Sequence, residues 1–480
     1  MGNPCRSGVL LPQFPDRVTA WTPHVVPDAG QCRALAARQG DINTMTISRR
    51  TFLAAAGLTA GTGLLSACGS GTQPATGLNG AKTSLQVFSW WTAGGELQAL
   101  DSLRANFNLH NPNIEFINEA VAGGAGTNAK AELAKRLAAG NPPDTFQAQA
   151  GQMVGDYITA GQLEDVTFLY QQNGWDKSFN QDVLKLIQRD GRYYSVPVDI
   201  HHINVLWSNK RLCDRVGVPT NPQTIPEFIA ALGKIQQSGH IPLAISRDPS
   251  ESWQLQHVME AMLIGTLGPE GWAALWLPGA DWASAGVTQA LEHFHQVMLH
   301  APGTGGNMSW DQVSAQVAQG QAAYQIMGDW TEASFTVTFN LQPHVDYDWA
   351  PSPGTTGVFD FASDCFTLPK GAPHRDATIA WLNECGSQEG QDSFTTVKGA
   401  IPPRASIGAQ ERTLFDSYLQ WSLDEWAKDK IVGSLTHGVV APGAWNNDIL
   451  TAIGVYLTDP DTGKLQTSLE AAAAKHFAAT

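Results

Sequence analysis

Three apolar runs of strand length, separated by two amphipathic stretches of helix length and short polar links, open the foldable part of this 480-residue chain. The first is Leu85-Gln86-Val87-Phe88-Ser89-Trp90-Trp91, which alternates and then runs apolar, as a strand entering a buried sheet does. Thr92-Ala93-Gly94-Gly95-Glu96 turns into a helix whose Leu97, Leu100, Leu103 and Phe107 form one core-facing stripe. His110-Asn111-Pro112 stops it before a second strand, Ile114-Glu115-Phe116-Ile117. A Gly-rich turn at 122–126 leads to a helix bearing Leu133 and Leu137, which Gly140-Asn141-Pro142-Pro143 ends. Asp144-Thr145-Phe146-Gln147-Ala148 is the third strand. This alternation specifies a parallel α/β sheet. Ligands of such sheets sit at the carboxyl ends of the strands. The rule nominates Trp90, Trp91, Glu96, Gly124, Gln147 and Gln149 as ligand-binding residues.

Helical stretches dominate later, near 224–238, 252–265, 286–299 and 310–325, interrupted by extended segments at 195–207 and 361–368. The run Arg192 to Val198 reads as a strand leading into a chain crossing. The length suits two or three domains, and no internal repeat is present.

The N-terminal segment reads as an address. Arg49-Arg50 followed by Phe52-Leu53 resembles a twin-arginine export signal, and 54–67 is too short to span a bilayer but suits a signal-peptide core. Leu65-Ser66-Ala67-Cys68 resembles a lipobox, which makes Cys68 the expected lipidation site and mature N-terminus. Residues 1–44 are then expected to be a mis-assigned start, 45–67 the signal peptide, and the Gly/Ser/Thr/Pro-rich 68–83 a lipid-attached tether.

Charge narrows the partners. Removing residues 1–67 takes six Arg and three Asp, so the mature 413 residues hold 23 basic and 41 acidic groups, a net charge of −18. Nucleic-acid binding needs the opposite sign, so none is expected. No two of the six cysteines (5, 32, 68, 213, 365 and 385) have the spacing of a zinc or thioredoxin-like motif. Cys365 and Cys385 are read either as a disulfide or as buried thiols. His201 and His202, adjacent on an extended segment, point to opposite faces and cannot chelate together, so no metal and no cofactor are expected. His201 is placed beside the cleft. Sixteen tryptophans favour carbohydrate, because flat indoles pack on the apolar faces of sugar rings.

The export segment, the strand ending in Trp90-Trp91 and the step Asn141-Pro142-Pro143-Asp144 together resemble the family 1 extracellular solute-binding proteins. Tyr193-Tyr194-Ser195-Val196-Pro197-Val198 is similar too, as is Gly320-Gln321-Ala322-Ala323-Tyr324 followed by Gly328-Asp329-Trp330. The resemblance covers nearly all of 84–450. Residues 89–96, 398–404 and 435–438 resemble the glucose- and galactose-binding members. It implies an α/β, two-lobed periplasmic-binding-protein fold with discontinuous lobes joined by hinge strands. The first lobe is expected at 84–197 plus 333–388, the second at 200–330 plus 392–480. The implied function is capture of a sugar, a monosaccharide such as glucose or galactose, between closing lobes. Delivery is to an ABC permease, by a monomer anchored to the outer face of the membrane.

By the same resemblance Glu96 and Gln147 bond sugar hydroxyls from the first lobe, Asp364 and Lys398 from returning segments, and His437 from the second lobe. Trp310 and Trp330 wall the ring. A sugar offers hydroxyls that both donate and accept, which a mixed carboxylate, amide, ammonium and imidazole lining satisfies. Bonds to charged groups contribute about 1.5–3 kcal/mol each. Gln149 departs from the glucose binders, where the resemblance implies histidine. The alternative is an exported glycoside hydrolase using Glu96 and Asp364 as its two carboxyls. No GxSxG, HExxH or P-loop spacing supports other chemistry, and no catalytic residue is expected.

Overall fold

The computed structural model describes residues 83–123, 126–301 and 308–479. The expected start site, signal peptide, Cys68 and tether, like Gly124, lie outside the described residues. The opening alternation folds as it reads. Strands Thr83–Phe88, Ile114–Asn118 and Thr145–Gln149 pair in parallel, with helices Gly94–His110 and Thr127–Ala138 between them. Helix Gly94–His110 buries Ala99, Leu100, Leu103 and Phe107 against this sheet's core. Two later strands complete the sheet, in the order 114–118, 83–88, 145–149, 364–367, 195–197, the last two pairings antiparallel. Trp381 seals the core, its ring 5.5 Å from Phe107 and 5.2 Å from both Phe116 and Phe366.

A second sheet runs Tyr347–Pro351, Val205–Asn209, Ala322–Ile326, Ile241–Leu243. Helices Ile225–Gln237, Ser252–Ala274 and Ala285–Leu299 stand at the expected positions, packed into a separate core with Trp272, Trp282 and Trp445. The stretch 310–325 is not one helix. Gly320, at φ +70°, takes the left-handed turn that an L side chain resists, so the helix Trp310–Ala318 ends there. Ala322–Ile326 continues as a fully buried strand antiparallel to Val205–Asn209. A short buried apolar run fits either periodicity, and here the sheet decides.

A third sheet consists of strands Lys430–Gly433, Val358–Ala362 and His201–His202. The chain therefore passes from sheet to sheet near residues 198–204 and 362–364, and the passages are tied together. Val198 N–H donates to Asp364 C=O at 2.9 Å, and Asp329 N–H to His202 C=O at 3.1 Å. The expected lobe boundaries need correction at two places. The segment 333–362, expected in the first lobe, pairs Tyr347–Pro351 with the second sheet, because Trp349 and Ala350 stand in register with Trp207 and Leu206. Residues 392–398, expected in the second, belong to helix Gln388–Lys398, which packs on Gly94–His110 and puts Phe394 into the first core. That helix ends at Gly399 (φ +85°), where an added Cβ would meet the Asp329 carbonyl oxygen at 2.5 Å. This close approach holds the helix end against the segment carrying Trp330.

Cys213, Cys365 and Cys385 are free and buried. The disulfide alternative is therefore not realised: Cys365 Sγ lies 3.3 Å from the Ala148 carbonyl oxygen across the sheet, while Cys385 sits on helix Arg375–Gly386.

Candidate functional site

The ends of these elements meet around a cavity of about 290 Å³. From the first sheet come Trp90, just beyond its strand, Glu96 in the first turn of its helix, and Gln149 at the end of strand Thr145–Gln149. The second sheet's side supplies Trp310, Trp330, Trp253 and Glu251. His201, Asp364, Lys398 and His437 enter from the crossings and returning segments. Local sequence explains the placement. Asp364 opens its strand directly opposite Gln149. Ser309 and Gln312 form a capping box that fixes Trp310 as the first residue of its helix.

Charge is concentrated here and internally paired. His201 is almost wholly buried, with Nδ1 on an Asp329 oxygen and Nε2 3.1 Å from Asp364 Oδ2. Asp199 Oδ2 lies 3.0 Å from the same Nε2 without a hydrogen bond of its own. Burial alone would lower the His201 pKa, but Asp199 and Asp329 outweigh it and hold the ring protonated, well above its usual range. Asp199 is raised to about 6, mainly by burial. Burial would raise Asp364 as well, but His201, Lys398 and the Gln147 amide (3.0 Å) hold it below the usual carboxylate range. The second pair is Lys398 Nζ to Glu96 Oε1 at 2.9 Å. Its ammonium also stands 5.5 Å from the ring centres of Trp91 and Trp330. Asp199, His201 and Asp364 bring donor atoms within 4.8 Å of one another, the geometry of a metal trio. An imidazolium has no free lone pair, so the trio is an ion-pair cluster.

Trp330 is the centre of the aromatic wall. The rings of His201, His257, His437 and Trp310 meet it edge-on at 5.4, 5.8, 5.0 and 6.3 Å. Eight of the nominated residues line the cavity together: Trp90, Glu96, Gln149, Trp310, Trp330, Asp364, Lys398 and His437. Two do not. Trp91 is fully buried against Phe366 and Phe394, because it points to the opposite side from Trp90. Gln147 stands behind Asp364, and its Oε1 accepts from Trp90 N–H at 3.2 Å. The sequence missed Trp253, Glu251 and Asp311, which lie on helix starts and loops with no strand-end signal. It also missed the partners Asp199 and Asp329, and Lys130, whose Nζ lies 5.2 Å from the Trp90 ring centre and is lowered by burial to about 8.

Two α/β bodies, joined by strands that cross beside a polar, tryptophan-walled cavity, define a two-lobed ligand-binding protein. Residues 89–392 match the profile of bacterial extracellular solute-binding proteins. An uncharacterized ABC transporter extracellular-binding protein of Pyrococcus horikoshii is 31% identical over 80% of this chain and 86% of its own. A "Probable sugar-binding periplasmic protein" of Mesorhizobium japonicum is 30% identical, covering 81% and 91%. A solved structure of the bacterial solute receptor AcbH, described as having an exclusive preference for β-D-galactopyranose, superposes with a TM-score of 0.72. It is 19% identical and covers 83% of this chain and 99% of that one. The chain belongs to the bacterial extracellular solute-binding protein family. Its relatives are binding components of ABC transporters rather than enzymes, so the hydrolase alternative falls. In the site, Asp364 accepts from Gln147 and His201, and Glu96 accepts from Lys398.

His202, on the face opposite His201, stacks between Phe359 (3.8 Å) and Trp421 (5.0 Å), with neither nitrogen in a hydrogen bond. Burial lowers its pKa to about 3, against a smaller upward pull from Asn204. A histidine that stays neutral when folded but titrates near 6.5 unfolded withdraws stability as pH falls from about 6.5 towards 3, by about 1.4 kcal/mol per pH unit. Urea melts of His202→Phe should therefore show that much less loss per unit across this window than the parent. An identical slope in both proteins would rule out His202 as a source of acid lability.

Proposed function

We propose that this protein captures a sugar in the cavity at Trp330 and hands it to an ABC permease. The observation that carries the reading is the cavity's combination of indole walls with carboxylate, ammonium, imidazole and amide groups. Lys398 is neutralised by Glu96, and His201 by the surrounding aspartates. A lining of that kind offers strong donors and acceptors, which suits a neutral polyhydroxylated ring. The names of the relatives support it: besides the Mesorhizobium protein, a xylose/arabinose-binding protein of Haloferax volcanii is 25% identical over 69% of this chain and 72% of its own. About 290 Å³ lies just below the usual span of small-molecule sites, roughly 300–1,000 Å³, which favours a monosaccharide such as glucose or galactose.

Thermal melts with and without sugar test the reading. Saturating glucose or galactose, at about 100 times Kd, should stabilise the protein by about 2.7 kcal/mol. Trp310→Ala, which removes a half-buried wall, should weaken binding about tenfold or more at an unchanged ligand-free melting temperature. No shift with any monosaccharide or disaccharide would refute sugar capture.

Among the described residues no helix is long and apolar enough to cross a membrane. The family is extracellular, and we propose that a lipid on Cys68 holds the monomer at the outer face of the membrane. This rests on the twin-arginine and lipobox pattern of 49–68. Cys68→Ser should move the protein from the membrane fraction to the medium or periplasm. Retention on the membrane would contradict the anchor.

A further inference from the structure

Behind the cavity wall runs a chain of hydrogen bonds through two histidines. Gln149 Nε2 lies 2.9 Å from His437 Nδ1, and His437 Nε2 lies 2.9 Å from His257 Nε2. The three side chains are 4%, 5% and 1% exposed. Gln149 and His437 line the cavity; His257 does not. Two imidazole nitrogens facing each other at this distance need one proton between them, because two protons repel and none leaves no bond.

Both rings are neutral. Burial lowers His257 to about 3. Burial first, and then the positive charges of Lys130, His201 and Lys398, hold His437 well below its usual value. A neutral imidazole carries a single N–H, so every donor in the chain points the same way. The Gln149 amide nitrogen donates to His437 Nδ1, and His437 Nε2–H donates to His257 Nε2. This direction leaves two buried groups without a partner, His257 Nδ1–H and Gln149 Oε1, and only Gln149 Oε1 is on a cavity-lining side chain. An unsatisfied acceptor of this kind is costly until something donates to it.

We propose that Gln149 Oε1 is the specificity acceptor of the site, accepting a hydrogen bond from one ligand hydroxyl, and that His257 is the positioning residue that aims it by fixing the His437 tautomer. The ligand half of this inference rests on the sugar reading above. The chemical demand is sharp: at one ring position the ligand must donate, not merely accept.

Two measurements on the full chain test it. Nitrogen-15 NMR of the histidine rings, without ligand, should show His437 protonated on Nε2 and bare on Nδ1. His257→Phe should mix the two tautomers, and His257→Gln, which keeps an acceptor, should restore the single one. Titration with galactose, glucose and their monodeoxy and monofluoro analogues should find one position where hydrogen and fluorine each lower affinity about tenfold. Fluorine accepts but cannot donate, and Gln149→Met should erase the difference. His437 protonated on Nδ1, or a fluoro analogue binding as tightly as the parent at the position where the deoxy analogue fails, would overturn the inference. If no sugar binds, the sugar reading fails by itself, and the ligand-free spectra still decide the direction of the chain.

Discussion

A protonated histidine buried among carboxylates is the interaction on which the rest of this molecule depends. Taking the His201 charge out of water is tolerable only because Asp199, Asp329 and Asp364 converge on it. These groups come from separate passages of the chain: Asp199 and His201 from the crossing that leaves the first sheet, Asp329 from the end of a second-sheet strand, Asp364 from the crossing back. Removing His201 would leave the carboxylates buried without their shared cation, which costs several kcal/mol. The cluster thus forces the crossings to meet at one point. That point is also a wall of the cavity.

From it the cavity wall follows outward. Asp364 orients Gln147, which in turn accepts the Trp90 backbone N–H. Lys398 is brought in by a helix whose end Gly399 lets approach the Asp329 backbone, and Glu96 meets its charge. Trp330, next in sequence to Asp329, takes its orientation from rings packed edge-on around it. On the proposed function, a site framed on chain crossings couples ligand contact to the relative position of the lobes, because residues of the crossings also line the cavity.

Much of this was legible in the sequence. The opening strand–helix alternation located Trp90, Glu96 and Gln149, since periodicity fixes where strands end. Family resemblance reached Asp364, Lys398, Trp310, Trp330 and His437. Opposite faces on adjacent residues separate Trp90 from Trp91 and His201 from His202, but the alternation alone does not say which member faces the ligand. What stayed hidden depends on contacts far apart in the chain. The Asp329 contact with His201 and the His257 link to His437 span 128 and 180 residues and leave no local pattern. The tryptophan excess also meant less than it promised: Trp207, Trp272, Trp282, Trp381 and Trp445 fill cores, while Trp90, Trp253, Trp310 and Trp330 reach the cavity.

The central claim, that ligand is held between two bodies hinged at the His201 cluster, makes a demand on shape. A ligand touching both lobes favours the closed arrangement over the open one. Small-angle X-ray scattering of the protein alone and with saturating galactose or glucose measures this directly. The account predicts a smaller radius of gyration and a shorter maximum dimension on sugar binding. Superimposable profiles, from a sample shown by calorimetry to be saturated, would contradict it.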